Sequence, residues 1–200
     1  MIMIEKKYEF SFTASSLRVS DMIQFAKLYL TDNVIDIGLT KESTNKRIVT
    51  EFKKRIDSLT ISQQKMLIES DYLTQKQILF LSVCKSYGMI RDFVLEVIRE
   101  NYLLMNYQIS DYEFTSFLRR KEIQHDELNE ISENTKSKVK QVLFKILEQG
   151  GIINTVKDRE IQLQILNPSL IQVIVRDNPE WLKVFLFSDR DIQNMIQTNG

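Results

Sequence analysis

The sequence predicts a mainly α protein, a multi-helix globular fold with helix-turn-helix elements and a small β-hairpin wing in its C-terminal half. Three observations carry this. Apolar residues recur at helical spacing, most cleanly at Val139, Val142, Leu143, Ile146 and Leu147, a stripe that turns one face of a helix toward a core. Only 5 Gly and 2 Pro occur, too little turn punctuation for a many-stranded β fold. The apolar fraction of 43% is that of a globular chain, and 200 residues suffice for one sizeable core or two small packed lobes.

The elements follow in order. "YEFSFTASS" alternates Tyr8, Phe10 and Phe12 and ends in the N-cap types Thr13, Ser15 and Ser16. This reads as an extended arm leading into a helix from about Leu17 to Leu30. "TDNVIDIGLT" is a connector or a short helical turn. A second helix covers about Thr44 to Leu59, with Ile48, Phe52, Ile56 and Leu59 inward. Thr60 caps a short helix through Ile68.

Leu73 to Tyr87 is apolar nearly all round, as expected of a central buried helix. Gly88 marks a bend before the next helix, Ile90 to Leu104. Ser110 and Glu113 form a capping box for a helix from Asp111 to about Glu122. A short helix near Asp126 to Ile131 precedes the lysine-bearing helix Ser132–Gln149, which Gly150 and Gly151 stop. "IINTVKDREIQLQIL" alternates on either side of a "KDRE" turn and is read as the hairpin. Pro168 opens a helix to about Arg176, "NPEWLKVFLFSD" docks on the core, and "NMIQTNG" frays. The expected division is a helical lobe with a basic helix over 1–106, a winged helix-turn-helix-like lobe over 107–176, and a C-terminal segment over 177–200.

Charge and chemistry bound the function. The 27 basic and 27 acidic residues cancel, so no global charge demands a polyanion. Locally, Lys41 to Arg55 holds six basic residues against Glu42 and Glu51, whereas Asp111 to Glu133 holds seven acidic against three basic. The single cysteine, Cys84, lies in an apolar helix and reads as a buried hydrophobe in a reducing compartment. A Cys84–His125 dyad would need a costly thiolate there. His125 is the only histidine, which excludes a multi-His metal site. No phosphate-loop pattern precedes a helix. No enzyme activity, metal, cofactor or small-molecule substrate is expected. With no apolar run near the ~18–20 residues of a membrane span and no secretory signal, a soluble cytoplasmic protein is expected.

Two binding constellations remain. On the lysine helix, Asn134, Ser137, Lys138, Gln141 and Lys145 lie opposite the apolar stripe, and Lys136 and Lys140 flank it. These residue types reach base edges and phosphates from a helix in the major groove. The hairpin turn adds Lys157 and Arg159. An inert solvated face fits this pattern equally well. In the second constellation, Ser43, Thr44 and Asn45 start a helix that offers N–H groups to a phosphate. Lys46, Arg47, Lys53, Lys54 and Arg55 add positive charge, with Glu51 spaced for intrahelical pairs.

"YEFSFTASSL", "STNKRI", "ILFLSVCKSYGMIRDFVLEVIRE", "HDEL" with "TKSKVKQVLFKILEQGGII", and "FLFSD" occur in the order of the BrxA family, which the chain resembles from roughly Tyr8 to Asp189. These are small helical proteins of BREX phage-defence systems. The resemblance implies a helical core with two helix-turn-helix elements beside positive surfaces. It further implies double-stranded DNA binding with no catalysis, methylation and restriction belonging to other BREX components. Ser43, Thr44, Lys46 and Arg47, then Thr135, Lys136, Lys138 and Lys140, are the DNA-binding positions it suggests. Double-stranded DNA and other BREX components are the expected partners. Two other readings are a protein–protein adaptor using Trp181 to Phe187 and RNA binding by the helical core.

Overall fold

The computed structural model describes residues 7–31 and 42–199, with side chains described over 7–31 and 46–197. The connector expected at "TDNVIDIGLT" lies almost wholly outside the described residues. A 3₁₀ turn, Ser11–Ala14, precedes α1 (Val19–Tyr29), α2 (Glu42–Asp57), α3 (Ile61–Glu69) and α4 (Tyr72–Ser86). A continuous rod follows, made of α5 (Gly88–Phe93), a π-helical stretch (Val94–Arg99) and α6 (Glu100–Leu103). The C-terminal half holds α7 (Asp111–Lys121), α8 (Glu127–Glu130), α9 (Glu133–Gly150), α10 (Pro168–Asp177), a 3₁₀ helix (Pro179–Phe185) and α11 (Asp189–Asn199).

Local chemistry starts and stops these helices where the residue pattern places them. Thr60 and Gln63 exchange hydrogen bonds as a capping box on α3, and Asp71 accepts from the Thr74 amide to start α4. Ser132 accepts from the Thr135 amide at the head of α9, and Gly151 closes that helix at φ 78°, a left-handed conformation glycine adopts without strain. Asn167 caps α10 with Pro168 in its first turn, where the missing N–H costs nothing.

Packing is organised around α4, which touches α1, α2, α3, α5 and α9. Ile78 to Cys84 of α4 are all buried, so this helix meets neighbours on every side, as its apolar composition demands. Ile48, Phe52, Ile56 and Leu59 are buried as their spacing predicts. The Phe93 ring lies 5.2 Å from Phe117 and 5.8 Å from Phe144, edge to face, and joins the α5 rod to α7 and α9. Cys84 is fully buried, and desolvation pushes its thiol far above the usual range.

Two expectations need correction. The β-hairpin wing is absent: among the described residues there is no strand, only the isolated antiparallel bridges Ile153↔Ile161 and Gln108↔Glu160. Within this segment backbone pairing is confined to one bridge, with the Asn154 amide on the Glu160 carbonyl at 3.0 Å and the Gln162 amide on the Ile152 carbonyl at 2.8 Å, and the turn between them coils. The Arg159 amide donates to the Thr155 carbonyl at 2.9 Å with Arg159 in the left-handed region, and Asn154 Oδ1 accepts from the Glu160 amide at 3.0 Å. Beyond Gln162 the ladder stops, and the Gln164 side-chain amide donates to the Gly151 and Gln162 carbonyls. Leu163 and Ile165 are left 67% and 70% exposed. The second correction is "NMIQTNG", which continues α11 to Asn199. Ser188 and Asp191 cap that helix reciprocally and Ile192 is buried beneath it.

Candidate nucleic-acid interface

The cations on the polar face of α9 divide into half-buried ones, Lys136 and Lys140, and exposed ones, Lys138 and Lys145. Lys136 lies 2.8 Å from Glu122 and 3.3 Å from Glu133, and the hydrogen bond to Glu122 holds its ammonium pKa above the usual value. Lys140 lies 2.7 Å from Asp111 and 5.8 Å from the Phe114 ring centroid. Arg159 binds the same Asp111 carboxylate while its guanidinium sits 4.2 Å over Phe144. The hydrogen bond from Lys140, then that from Arg159, pulls the Asp111 carboxyl down to about 2. These three cations fasten α9 and the turn that follows it to the two ends of α7.

Lys138 differs. Its ammonium donates at 3.1 Å to a neutral partner, Gln141 Oε1. Lys145 pairs with Glu148, one turn on, and remains half exposed. The Thr135 hydroxyl lies 3.0 Å from that of Ser132 at the cap, Asn134 is exposed, and Lys157 is exposed on the coiled turn.

On α2, Lys46 and Arg47 are exposed, and Lys53 is exposed with its ammonium 5.4 Å from the Tyr29 ring centroid. Lys54 lies 2.5 Å from Glu9 and over the Tyr87 ring at 4.8 Å, so it fastens the N-terminal arm. The backbone of Ser43 and Thr44 belongs to the first turn of α2, and their side chains are not described. Arg55, expected among the surface cations, is fully buried. It donates to the Ser15 carbonyl at 2.6 Å, the Ser16 carbonyl at 2.8 Å and the Tyr87 hydroxyl at 3.2 Å.

What joins the two constellations is the 3₁₀ turn Ser11–Ala14, which packs against both α2 and α9. On its α9 side, Thr13, Ala14, Ser15 and Ser16 face Lys138, Gln141 and Lys145 across a hollow of about 380 Å³. On its α2 side, Ser11 and Ala14 face Lys46, Arg47, Thr50 and Glu51, whose carboxylate is taken by the Tyr87 hydroxyl, across a second hollow of about 310 Å³. Ala14 lines both. Phe12, fully buried, Arg55 from below, and Gln149, whose Oε1 accepts from the Leu17 amide at 2.8 Å, hold this ridge in place. Sequence reasoning saw Thr13, Ser15 and Ser16 only as cap types. The one usable signal was a cluster of small hydroxyl residues immediately after a core aromatic.

The C-terminal segment does not present the apolar surface an adaptor would need. Leu182, Val184, Phe185 and Leu186 are buried, and Trp181 is half-buried with Lys85 5.7 Å from its ring centroid. His125, expected near the start of a short helix, is buried there, stacked on Tyr8 at 3.6 Å with Nδ1 2.9 Å from Glu127.

The chain is similar to known proteins over most of its length. The model of the BrxA family matches residues 6–178. A BREX protein BrxA of Bacillus cereus (strain H3081.97) is 25% identical over 146 residues, 72% of either chain. A BREX protein BrxA of Escherichia coli O9:H4 (strain HS) is 22% identical over 134 residues, 67% of this chain and 63% of that one. The crystal structure of an uncharacterized protein from Magnetospirillum magneticum shares the fold, with a TM-score of 0.76 at 14% identity, covering 90% of this chain and 98% of that one. The family match spans the arm, α2 and α9, which build the ridge and both hollows, and the chain belongs to the BrxA family.

Proposed function

We propose that this chain is a BREX component that binds double-stranded DNA and catalyses no reaction itself. One observation carries the reading: two basic segments far apart in sequence border the same 3₁₀ turn. Lys46 and Arg47 lie on one side, and Lys138, Gln141 and Lys145 on the other; Lys53, also on α2, is exposed beside Tyr29. Phosphate contacts dominate affinity for duplex DNA, and a groove of lysines and hydroxyls satisfies their chemistry. In this reading α7 and α9 form a helix-turn-helix, with Asn134, Lys138 and Gln141 as base-edge or phosphate donors and Lys157 on the turn that replaces a wing. Ser43 and Thr44 open α2 beside the first group. Lys54, Lys136, Lys140 and Arg159, half-buried against carboxylates and aromatics, shape the surface rather than standing out from it.

The relatives' names place them in BREX systems, and the same role for this chain is the simplest account of the family match. No helix among the described residues is long and apolar enough to cross a membrane, and a DNA-binding role locates the protein in the cytoplasm.

Fluorescence anisotropy on a labelled duplex tests the reading, with a hairpin RNA as competitor. Wild type is expected to bind the duplex at low salt, with the double variants Lys46→Glu/Arg47→Glu and Lys138→Glu/Lys145→Glu each at least about tenfold weaker. Absence of duplex binding overturns the reading, and preferential displacement by the RNA replaces duplex DNA with RNA as the ligand.

A further inference from the structure

The end of α6 carries an apolar cluster that the core does not cover. Leu104 is 77% exposed and Met105 79%, with Leu103 and Tyr107 more than a third exposed beside them. This end is well ordered by its own bonds. The Met105 amide donates to the Tyr102 carbonyl at 3.0 Å and the Asn106 amide to the Asn101 carbonyl at 2.9 Å, the paired bonds of a Schellman cap. Asn106 Nδ2 also donates to Asn101 Oδ1 at 2.6 Å, and the Tyr102 and Tyr107 rings lie 5.6 Å apart.

The residue at the left-handed position of this cap is Met105, at φ 60°. Glycine is the usual occupant, because a side chain there crowds the following carbonyl. A methionine in that position is unfavourable for folding twice over, in its backbone conformation and in its exposure. Strain combined with exposed apolar surface is the signature of a side chain kept for contact with something else.

Charge narrows what that is. Glu100 lies one helical turn before Leu104, Glu160 is bridged to Gln108 next to Tyr107, and Asp191 acts on Tyr102. All three carboxylate residues are exposed. The nearby Arg99 is buried and held by Asp189 and Glu100 at 3.2 and 3.6 Å. An acidic rim repels nucleic acid and anionic lipid, and complements a protein groove bordered by lysine or arginine.

We propose that Leu103, Leu104, Met105 and Tyr107 form a docking knob for another protein of the BREX system, inserting into an apolar groove with a basic rim. This rests on the BREX assignment above for its choice of partner, and not on DNA binding.

The test uses the full-length chain, wild type and Met105→Gly, mixed in turn with each other purified protein of its BREX system. Binding is read by titration calorimetry, and stability and duplex affinity are measured alongside. One of those proteins is expected to bind wild type, and Met105→Gly to bind it about tenfold more weakly, as removal of a central interface side chain does. Met105→Gly should meanwhile melt no lower than wild type, since glycine relieves the strained position, and keep full duplex affinity. Failure of every component to bind, equal affinity of the two forms, or a lowered melting temperature for Met105→Gly overturns the proposal. So does self-association of wild type that Met105→Gly abolishes, which would assign the knob to a second copy. Loss of duplex binding by wild type would instead remove the DNA reading and leave this result standing.

Discussion

Lys140 Nζ lies 2.7 Å from Asp111 Oδ1, the same oxygen that receives Nη1 of Arg159. One carboxylate from the first turn of α7 therefore holds two cations that the residue pattern offers to a polyanion.

Replacing that carboxylate should release both. Asp111→Asn is expected to raise duplex affinity by less than about tenfold, since an exposed pair is worth at most ~1 kcal/mol. It should also change the acid limb of stability. The Asp111 carboxyl is depressed from its ordinary value of 3.8 to about 2 in the folded chain. Its contribution is therefore complete above the unfolded value and is lost as pH falls through the folded one. Urea unfolding between about pH 4 and pH 2 should be shallower in pH for Asp111→Asn than for wild type.

Charge reversals on α9 should separate by what each lysine touches. Lys138→Glu removes an outward charge next to neutral Gln141, so it should weaken duplex binding and leave the melting temperature nearly unchanged. Lys136→Glu sets a third carboxylate against Glu122 and Glu133 and should lower stability by about 1 kcal/mol or less, as for an exposed pair. Thermal melts and duplex anisotropy on the same preparations compare the two.

Arg55→Leu tests the foundation of the ridge. The guanidinium satisfies the Ser15 and Ser16 carbonyls from a fully buried position, and leaving them unpaired costs about 1–3 kcal/mol each. Urea denaturation should show a loss of about 2–5 kcal/mol. Stability equal to wild type would contradict the structural role.

Two glycines should respond in opposite ways. A Cβ on Gly150 would stand 2.6 Å from Phe80 Cδ2, inside the core, and Gly150→Ala should cost about 1–3 kcal/mol through overpacking. At Gly88 the nearest atoms, from Arg91 and Tyr8, are 3.4 Å away. Gly88→Ala, in the first turn of α5, should be neutral or stabilising by up to about 1 kcal/mol. Thermal or urea unfolding of both variants measures the difference.

The helices were legible because their signals are local. Thr60, Ser110, Ser132 and Gly151 act within four residues of themselves, and apolar periodicity marked Ile48, Phe52 and Ile56 as inward. The hairpin is not legible because alternation at Ile161, Leu163 and Ile165 describes a strand only as far as a neighbour pairs with it. Here pairing ends once the Gln162 amide reaches the Ile152 carbonyl, and the Gln164 side chain takes the Gly151 carbonyl instead. Arg55 was misplaced for a related reason. On helical spacing it sits beside surface lysines, and only the return of the arm under α2 gives its guanidinium buried carbonyls. The convergence of Lys46 and Lys138 on one turn is tertiary, and nothing in the spacing of either segment encodes it.

On the function proposed above, exposed cations around the Ser11–Ala14 ridge bind duplex phosphates. Duplex affinity measured from about 50 to 200 mM salt tests it most directly. Five phosphate contacts, from Lys46, Arg47, Lys138, Lys145 and Lys157, predict a slope of log K against log salt of about −4.5 and a roughly 500-fold loss over that range. Lys138→Glu should reduce the slope by about 1. A slope near zero, or a slope that Lys138→Glu leaves unchanged, would contradict the account.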